Sequence, residues 1–177
     1  MLQWLCSRSN TRGCDVFGYV YMRWTGPRSK GLHRHLRYGY AHVANYWHRR
    51  ILPIHFTKRG GQRYRYEKRQ GEHGSGKRVK GSYTEEKRKR YGHDIPLVLT
   101  GLARALSRLR NIRATGKGAR VSISVGKMLL NPKKRRERER EVTAVTPGER
   151  RDMARLFKKI MTARLNADRT TTIERIG

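Results

Sequence analysis

From Gly31 onward the apolar residues of the chain fall into a helical rhythm. Leu32, Leu36, Tyr40, Val43, Trp47 and Ile51 are separated by four, four, three, four and four positions. On a helix of 3.6 residues per turn these positions form one continuous stripe. The spacing predicts a long helix from residue 31 to Pro53, which stops or kinks it because proline lacks the amide donor and crowds the preceding turn. Arg34, Arg37, His48, Arg49 and Arg50 fall on the opposite, basic face.

Further along, Val121, Ile123 and Val125 alternate with Ser122 and Ser124, the period of a half-buried strand. Together with Ile112–Thr115 and the turn Gly116-Lys117-Gly118 they predict a β-hairpin. Thr146-Pro147-Gly148-Glu149 carries a helix start: a capping threonine, proline at the first helical position and glutamate three after the cap. Met153, Leu156, Phe157, Ile160, Met161 and Leu165 then supply an apolar helical face. Val142, Ala144 and Val145 suggest a short strand before it, and Lys133 to Glu141, which contains no apolar residue, a solvated loop or helix face.

Other segments are less periodic. Residues 1–30 hold scattered aromatics. Phe17, Tyr19 and Tyr21 alternate as in a short strand, and the segment as a whole reads as an aromatic and basic arm. Residues 57–93 are charged and punctuated by Gly60-Gly61 and Gly74-Ser75-Gly76. Within them Arg63-Tyr64-Arg65-Tyr66 alternates cation and ring as a strand would. Thr84-Glu85-Glu86 could open a short helix ending before Gly92. Ile95 to Leu99 is apolar, and Leu102, Leu106 and Leu109 continue at helical spacing. The expected fold class is α+β: a small antiparallel sheet packed by a long helix of the N-terminal half and a C-terminal helix, with extended basic arms. The expected organisation is an arm over 1–30, one domain over 31–167 with a basic insertion at 57–93, and a polar tail over 168–177.

Charge changes this picture most. The chain has 43 Lys and Arg against 13 Asp and Glu, a net +30 over 177 residues. Such self-repulsion weakens a compact state and calls for a polyanionic partner. Between Lys58 and Arg90 there are thirteen basic residues and four acids. Lysines and arginines there could neutralise phosphates while interleaved tyrosines stack on bases. The same residue types also enrich protein interfaces, so acidic neighbouring subunits are the other class of partner. The candidate polyanion- or partner-binding residues are Arg63, Tyr64, Arg65, Tyr66, Lys77, Arg78, Lys80, Lys87, Arg88 and Arg90.

Catalytic and metal chemistry find little footing. Cys6 and Cys14, the two cysteines, lack the paired spacing of a zinc site and read as free thiols. His33 and His35 face apart on the predicted helix, and His42 and His48 do not stack, so these read as basic surface or interface histidines. His93-Asp94 is a lone pair without the clustered acids a nuclease metal needs. Gly18-Tyr19-Val20-Tyr21 resembles the opening of a small nuclease motif but has no second half. Gly116-Lys117-Gly118 lacks the spacing of a phosphate loop. Neither a catalytic residue, a metal site nor a cofactor is expected. No apolar run reaches membrane-spanning length, and the first residues are too short for a secretory signal.

One set of residues resembles a known family. Ile51-Leu52-Pro53-Ile54-His55-Phe56-Thr57, then Arg63-Tyr64-Arg65-Tyr66, Lys87 to Arg90, and Pro96-Leu97-Val98-Leu99-Thr100-Gly101-Leu102 are similar to neck or tail-completion proteins of the tailed-bacteriophage head–tail connector. The order of the pieces carries the resemblance, over residues 34–165. It implies a small α+β domain with a curved antiparallel sheet, no active site and no cofactor. It also implies assembly into a homo-oligomeric ring, with about six or twelve copies, beside other neck, portal or tail proteins. The ring would line the DNA channel of the virion after assembly in the host cytoplasm. The aromatic N-terminal segment and the large basic excess depart from that family's pattern. The alternative is a basic RNA-binding protein of a ribosome-like particle.

Overall fold

The computed structural model describes residues 2–6, 15–22, 31–66, 83–95, 97–98, 101–108, 110–124 and 140–176. Four strands form one antiparallel sheet: β1 (Leu2–Cys6), β2 (Asp15–Met22), β3 (Arg110–Thr115) and β4 (Gly118–Ser124), in the order β1-β2-β4-β3. Around it lie α1 (Leu32–Tyr46), α2 (Leu52–His55), α3 (Gly60–Arg63), α4 (Tyr83–Tyr91), α5 (Leu102–Leu106) and α6 (Pro147–Ile176). The chain is therefore α+β, as the hydrophobic pattern predicts.

The hairpin of β3 and β4 follows from alternation. Val121 and Ile123 are buried against α1, while Ile112 and Ala114 of β3 lean on the same core. The register pairs Ile112 with Val121 and Ala114 with Ala119. Within the N-terminal segment expected as an arm, the described residues 2–6 and 15–22 are strands of the sheet. Its residues 15–21 pair along the whole of β4, from Asp15 opposite Ser124 to Tyr21 opposite Gly118, and β1 pairs with β2. The Phe17, Tyr19, Tyr21 alternation thus marks a central strand, because β4 offers an otherwise unpaired edge.

The long helix is continuous past the point where α-helical geometry runs out. Its apolar spacing averages slightly more than 3.6, so a pure α-helix would carry the stripe progressively off the core. A π-helical turn at Trp47–Ile51 takes up the excess. It keeps Trp47, Ile51 and Leu52 almost wholly buried. The same rotation turns His48 inward, against the expected basic surface position, while Arg49 and Arg50 stay exposed. Pro53 does not end the helix. It sits in the first turn of α2, directly after the π turn.

Helix α6 packs across α1. Phe157 meets Tyr40 with ring centroids 5.0 Å apart. Gly39 makes this crossing possible, since a Cβ there would come within 2.8 Å of the Phe157 ring. Gly39→Ala is expected to destabilise the domain by about 2 kcal/mol through overpacking, read as a lowered midpoint in urea unfolding. The helix start is as the sequence predicts: the Glu149 amide donates to Thr146 Oγ1 at 3.2 Å, and the Thr146 amide to Glu149 Oε2 at 2.8 Å. Two neighbouring expectations fail. Residues 140–143 form a helical turn in place of a short strand at Val142–Val145, and residues 168–176, expected as a polar tail, continue α6. The Glu141 end of the charged run is buried, and 133–139 lie outside the described residues.

Candidate polyanion-binding site

Among the described residues, those predicted to contact a polyanion do not form one exposed patch. Arg63-Tyr64-Arg65-Tyr66 is not a strand. Arg63 closes α3, Tyr64 and Arg65 form a turn, and Arg65 adopts φ 51°. A residue outside glycine is uncommon in that region, so the turn is held by what packs around it. Gly60 fixes its start: a Cβ there would lie 2.7 Å from the Ile54 carbonyl oxygen and 2.8 Å from that of His55.

Both tyrosines turn inward onto His55. Tyr64 stacks on its ring with centroids 3.8 Å apart and planes within 8°. The Tyr66 hydroxyl lies 2.5 Å from His55 Nδ1. Tyr64 is buried and Tyr66 packs against the core, so neither is a stacking platform for bases. His55 itself is fully buried. Burial pushes its pKa down to about 4, against the opposing pull of Glu149 and of backbone groups of Ala144 and Glu141.

Glu149 ties this cluster to α6. Its Oε1 accepts from the Tyr64 hydroxyl at 2.7 Å and from Arg63 Nε at 3.0 Å, while Oε2 serves as the helix cap. Burial would raise its carboxyl. Hydrogen bonds from Thr146, Tyr64 and Arg63 outweigh burial and hold it below the usual carboxylate range. The Tyr64 hydroxyl is pushed up by its own burial and by the neighbouring carboxylate.

On α4 the predicted cations split. Lys87 is buried, with its ammonium donating to the Ile95 carbonyl. Arg88 donates to Asp94 at 2.9 Å, and this hydrogen bond holds Asp94 below its ordinary value. Arg65 and Arg90 remain exposed, and Arg63 is about half exposed beyond its contact with Glu149. Lys77, Arg78 and Lys80 lie outside the described residues. The helix ends at Tyr91 before Gly92 as predicted, but it already includes Tyr83, so Thr84, expected as its cap, lies within it.

Two of the histidines read as surface or interface groups, His35 and His48, are structural. His35 is buried and meets Asp168 at 2.6 Å. His48 donates from Nε2 to the Ser107 carbonyl at 2.8 Å and accepts from Arg110 at 3.1 Å at Nδ1. Arg110 also donates to Asn45, which fastens β3 to α1. Burial is the main cause that pushes His48 down. Among the described residues no group of histidine, cysteine and acidic side chains is placed to hold a metal, and no helix is long and apolar enough to cross a membrane.

Other exposed cations lie away from this cluster. Arg34, Arg37, Arg49 and Arg50 line the outer side of α1 and its π turn, and Arg150, Arg151, Arg155, Lys158 and Lys159 that of α6. Arg113 is exposed on β3. The α1 arginines were legible from periodicity. Arg113 and Arg120 were not, because only strand pairing places them side by side. Compared with protein families, with curated proteins and with solved structures, the chain gives no significant match.

Proposed function

We propose that the chain is a structural subunit of the head–tail connector of a tailed phage, forming a ring of neck or tail-completion type. One observation carries this. The stretches that resemble that family, far apart in sequence, contribute to a single core. Ile51, Leu52 and Phe56, then Tyr64, then Leu97 and Val98 are all members of it, with His55, Tyr66 and Lys87 as its polar ties. Residue types repeated in this order therefore serve an architecture. The basic outer sides of α1 and α6 offer surfaces for acidic neighbours in the neck, portal or tail, or for DNA in the channel.

The test is assembly. Sedimentation and electron microscopy of the purified chain, alone and mixed with portal rings, should show closed cyclic rings or stoichiometric binding to the portal. A chain that stays monomeric and ignores portal rings over a range of concentration and salt overturns the proposal.

A further inference from the structure

Helix α6 is held from one side. Met153, Phe157 and Met161, spaced by four, are buried in the core, and Leu156, Ile160 and Leu165 pack half-buried beside them. The opposite side carries Arg151, Arg155, Lys158 and Lys159, all exposed. At 3.6 residues per turn the four share about 100° of the circumference and about 12 Å of the axis.

Folding does not call for this row. Arg151 and Arg155, and Arg155 and Lys159, are like charges four residues apart, and Arg155 and Lys158 are three apart, spacings at which repulsion destabilises a helix. The acids that could offset them are engaged elsewhere. Glu149 accepts from Arg63 and Tyr64, Asp94 pairs with Arg88, Glu85 with Lys89, and Asp168 meets His35. Among the described residues, only Asp152 reaches the row, 3.8 Å from Arg155, and both groups are exposed enough for water to screen the pair. Arg151, Lys158 and Lys159 have no ion-pair partner. An anionic partner would relieve the repulsion.

The kind of anion follows from what surrounds the cations. From 150 to 168 the exposed residues of α6 include no aromatic ring and no aliphatic side chain larger than alanine. A protein interface centres on such anchors and is depleted in lysine, so an acidic subunit fits poorly. Single-stranded nucleic acid binds by stacking on rings, which this side lacks. A duplex keeps its bases inside and presents phosphates, about one charge per 1.7 Å of axis, or about seven along the row. We infer that the outer side of α6 binds duplex DNA through its phosphate backbone, with Arg151, Arg155, Lys158 and Lys159 as the contacts. The choice of DNA rests on the connector reading above, but the binding belongs to the single subunit and does not require a ring.

The experiment is fluorescence anisotropy of a short labelled DNA duplex with the full chain over a salt series. Binding should weaken linearly in logarithm with salt. Arg155→Glu combined with Lys159→Glu should weaken it about tenfold or more and lower the salt slope by about two, because two phosphate contacts are lost. Arg113→Glu combined with Lys117→Glu, an equal charge change at exposed positions of the β3–β4 hairpin, should cost about twofold through long-range attraction alone. Circular dichroism checks that each variant is folded. In the unaltered chain the duplex should protect Lys158 and Lys159 from acetylation by an N-hydroxysuccinimide ester, read by mass spectrometry, and leave Lys117 reactive. One strand of the same sequence, and polyglutamate, should bind more weakly than the duplex. The inference is overturned if the two double variants weaken binding equally, or if Lys158 and Lys159 stay unprotected. It is also overturned if the single strand or polyglutamate binds as tightly as the duplex. Electron microscopy of the same samples separates it from the connector reading. Rings whose DNA binding ignores α6 overturn this inference alone, and α6-dependent binding by a chain that neither assembles nor meets portal rings overturns the connector reading alone.

Discussion

Replacing Glu149 with alanine is expected to lower the unfolding free energy by about 3 kcal/mol. Two losses combine. The Thr146 amide loses its cap acceptor, a loss of about 1 kcal/mol at a helix start. The buried Tyr64 hydroxyl loses its acceptor and remains desolvated, which costs about 1–3 kcal/mol. Arg63 adds little, since its side chain is 46% exposed and water screens its ion pair with Glu149. Tyr64→Phe removes the hydroxyl itself and should cost about 1 kcal/mol. In the double variant the two losses should not add, because the second removes a partner already lost. Urea unfolding followed by circular dichroism gives all three values. A loss below about 1 kcal/mol for Glu149→Ala would show that the cluster does not tie α3 to α6.

Mild acid is the second large lever. His55 has a folded pKa of about 4 and an ordinary value of 6.5. The unfolded chain therefore takes up a proton on this ring between pH 6.5 and 4 while the folded chain does not. Stability from this group is complete above pH 6.5 and falls as pH drops through that window, by about 3 kcal/mol at pH 4. Glu149, held below its ordinary value of 4.5, acts in the same direction but only below that value. His48, also pushed down by burial, adds to the His55 window. A His55→Phe variant separates the groups. It keeps an aromatic ring against Tyr64 and should be less stable than the parent at pH 7. Its stability should decline less steeply between pH 6.5 and 4.5. Equal slopes in parent and variant would contradict a neutral buried imidazole.

These two effects meet at one place, where α2, α3 and the start of α6 join. Its members were visible singly. The Thr146–Glu149 pair was legible as a helix start, since a cap box is local and its spacing is fixed. That Glu149 also accepts from Tyr64 was not legible, because 85 residues separate them. His55 gave no signal at all: its neighbours Phe56 and Ile54 look like an ordinary apolar run, and only the turn after α3 brings Tyr64 and Tyr66 over its ring.

The basic stretch is the instructive case. A run of Arg and Tyr at alternate positions reads as a solvent-facing strand for phosphates and bases. Here the local backbone is helical and turned, so alternation does not sort the residues onto two faces. Both rings go to the core, and Arg63 stays half exposed beside a buried carboxylate. Lys87, another cation of the basic stretch, is also buried, its ammonium donating to the Ile95 carbonyl, which accepts from the Val98 amide as well.

What the sequence determined by itself is whatever depends on neighbours along the chain or on simple sums over it: the α+β class, the α1 stripe, the β3–β4 hairpin, the capped start of α6 and the net charge of +30. These rest on periodicity, capping and net charge, which are local or additive. Tertiary structure alone decided that residues 2–6 and 15–22 are strands of the sheet, that three histidines and two tyrosines are interior, and that Arg113 and Arg120 stand side by side. Each of those depends on a pairing across many residues, and such a pairing is set by which edges and cavities remain open once the local elements have packed.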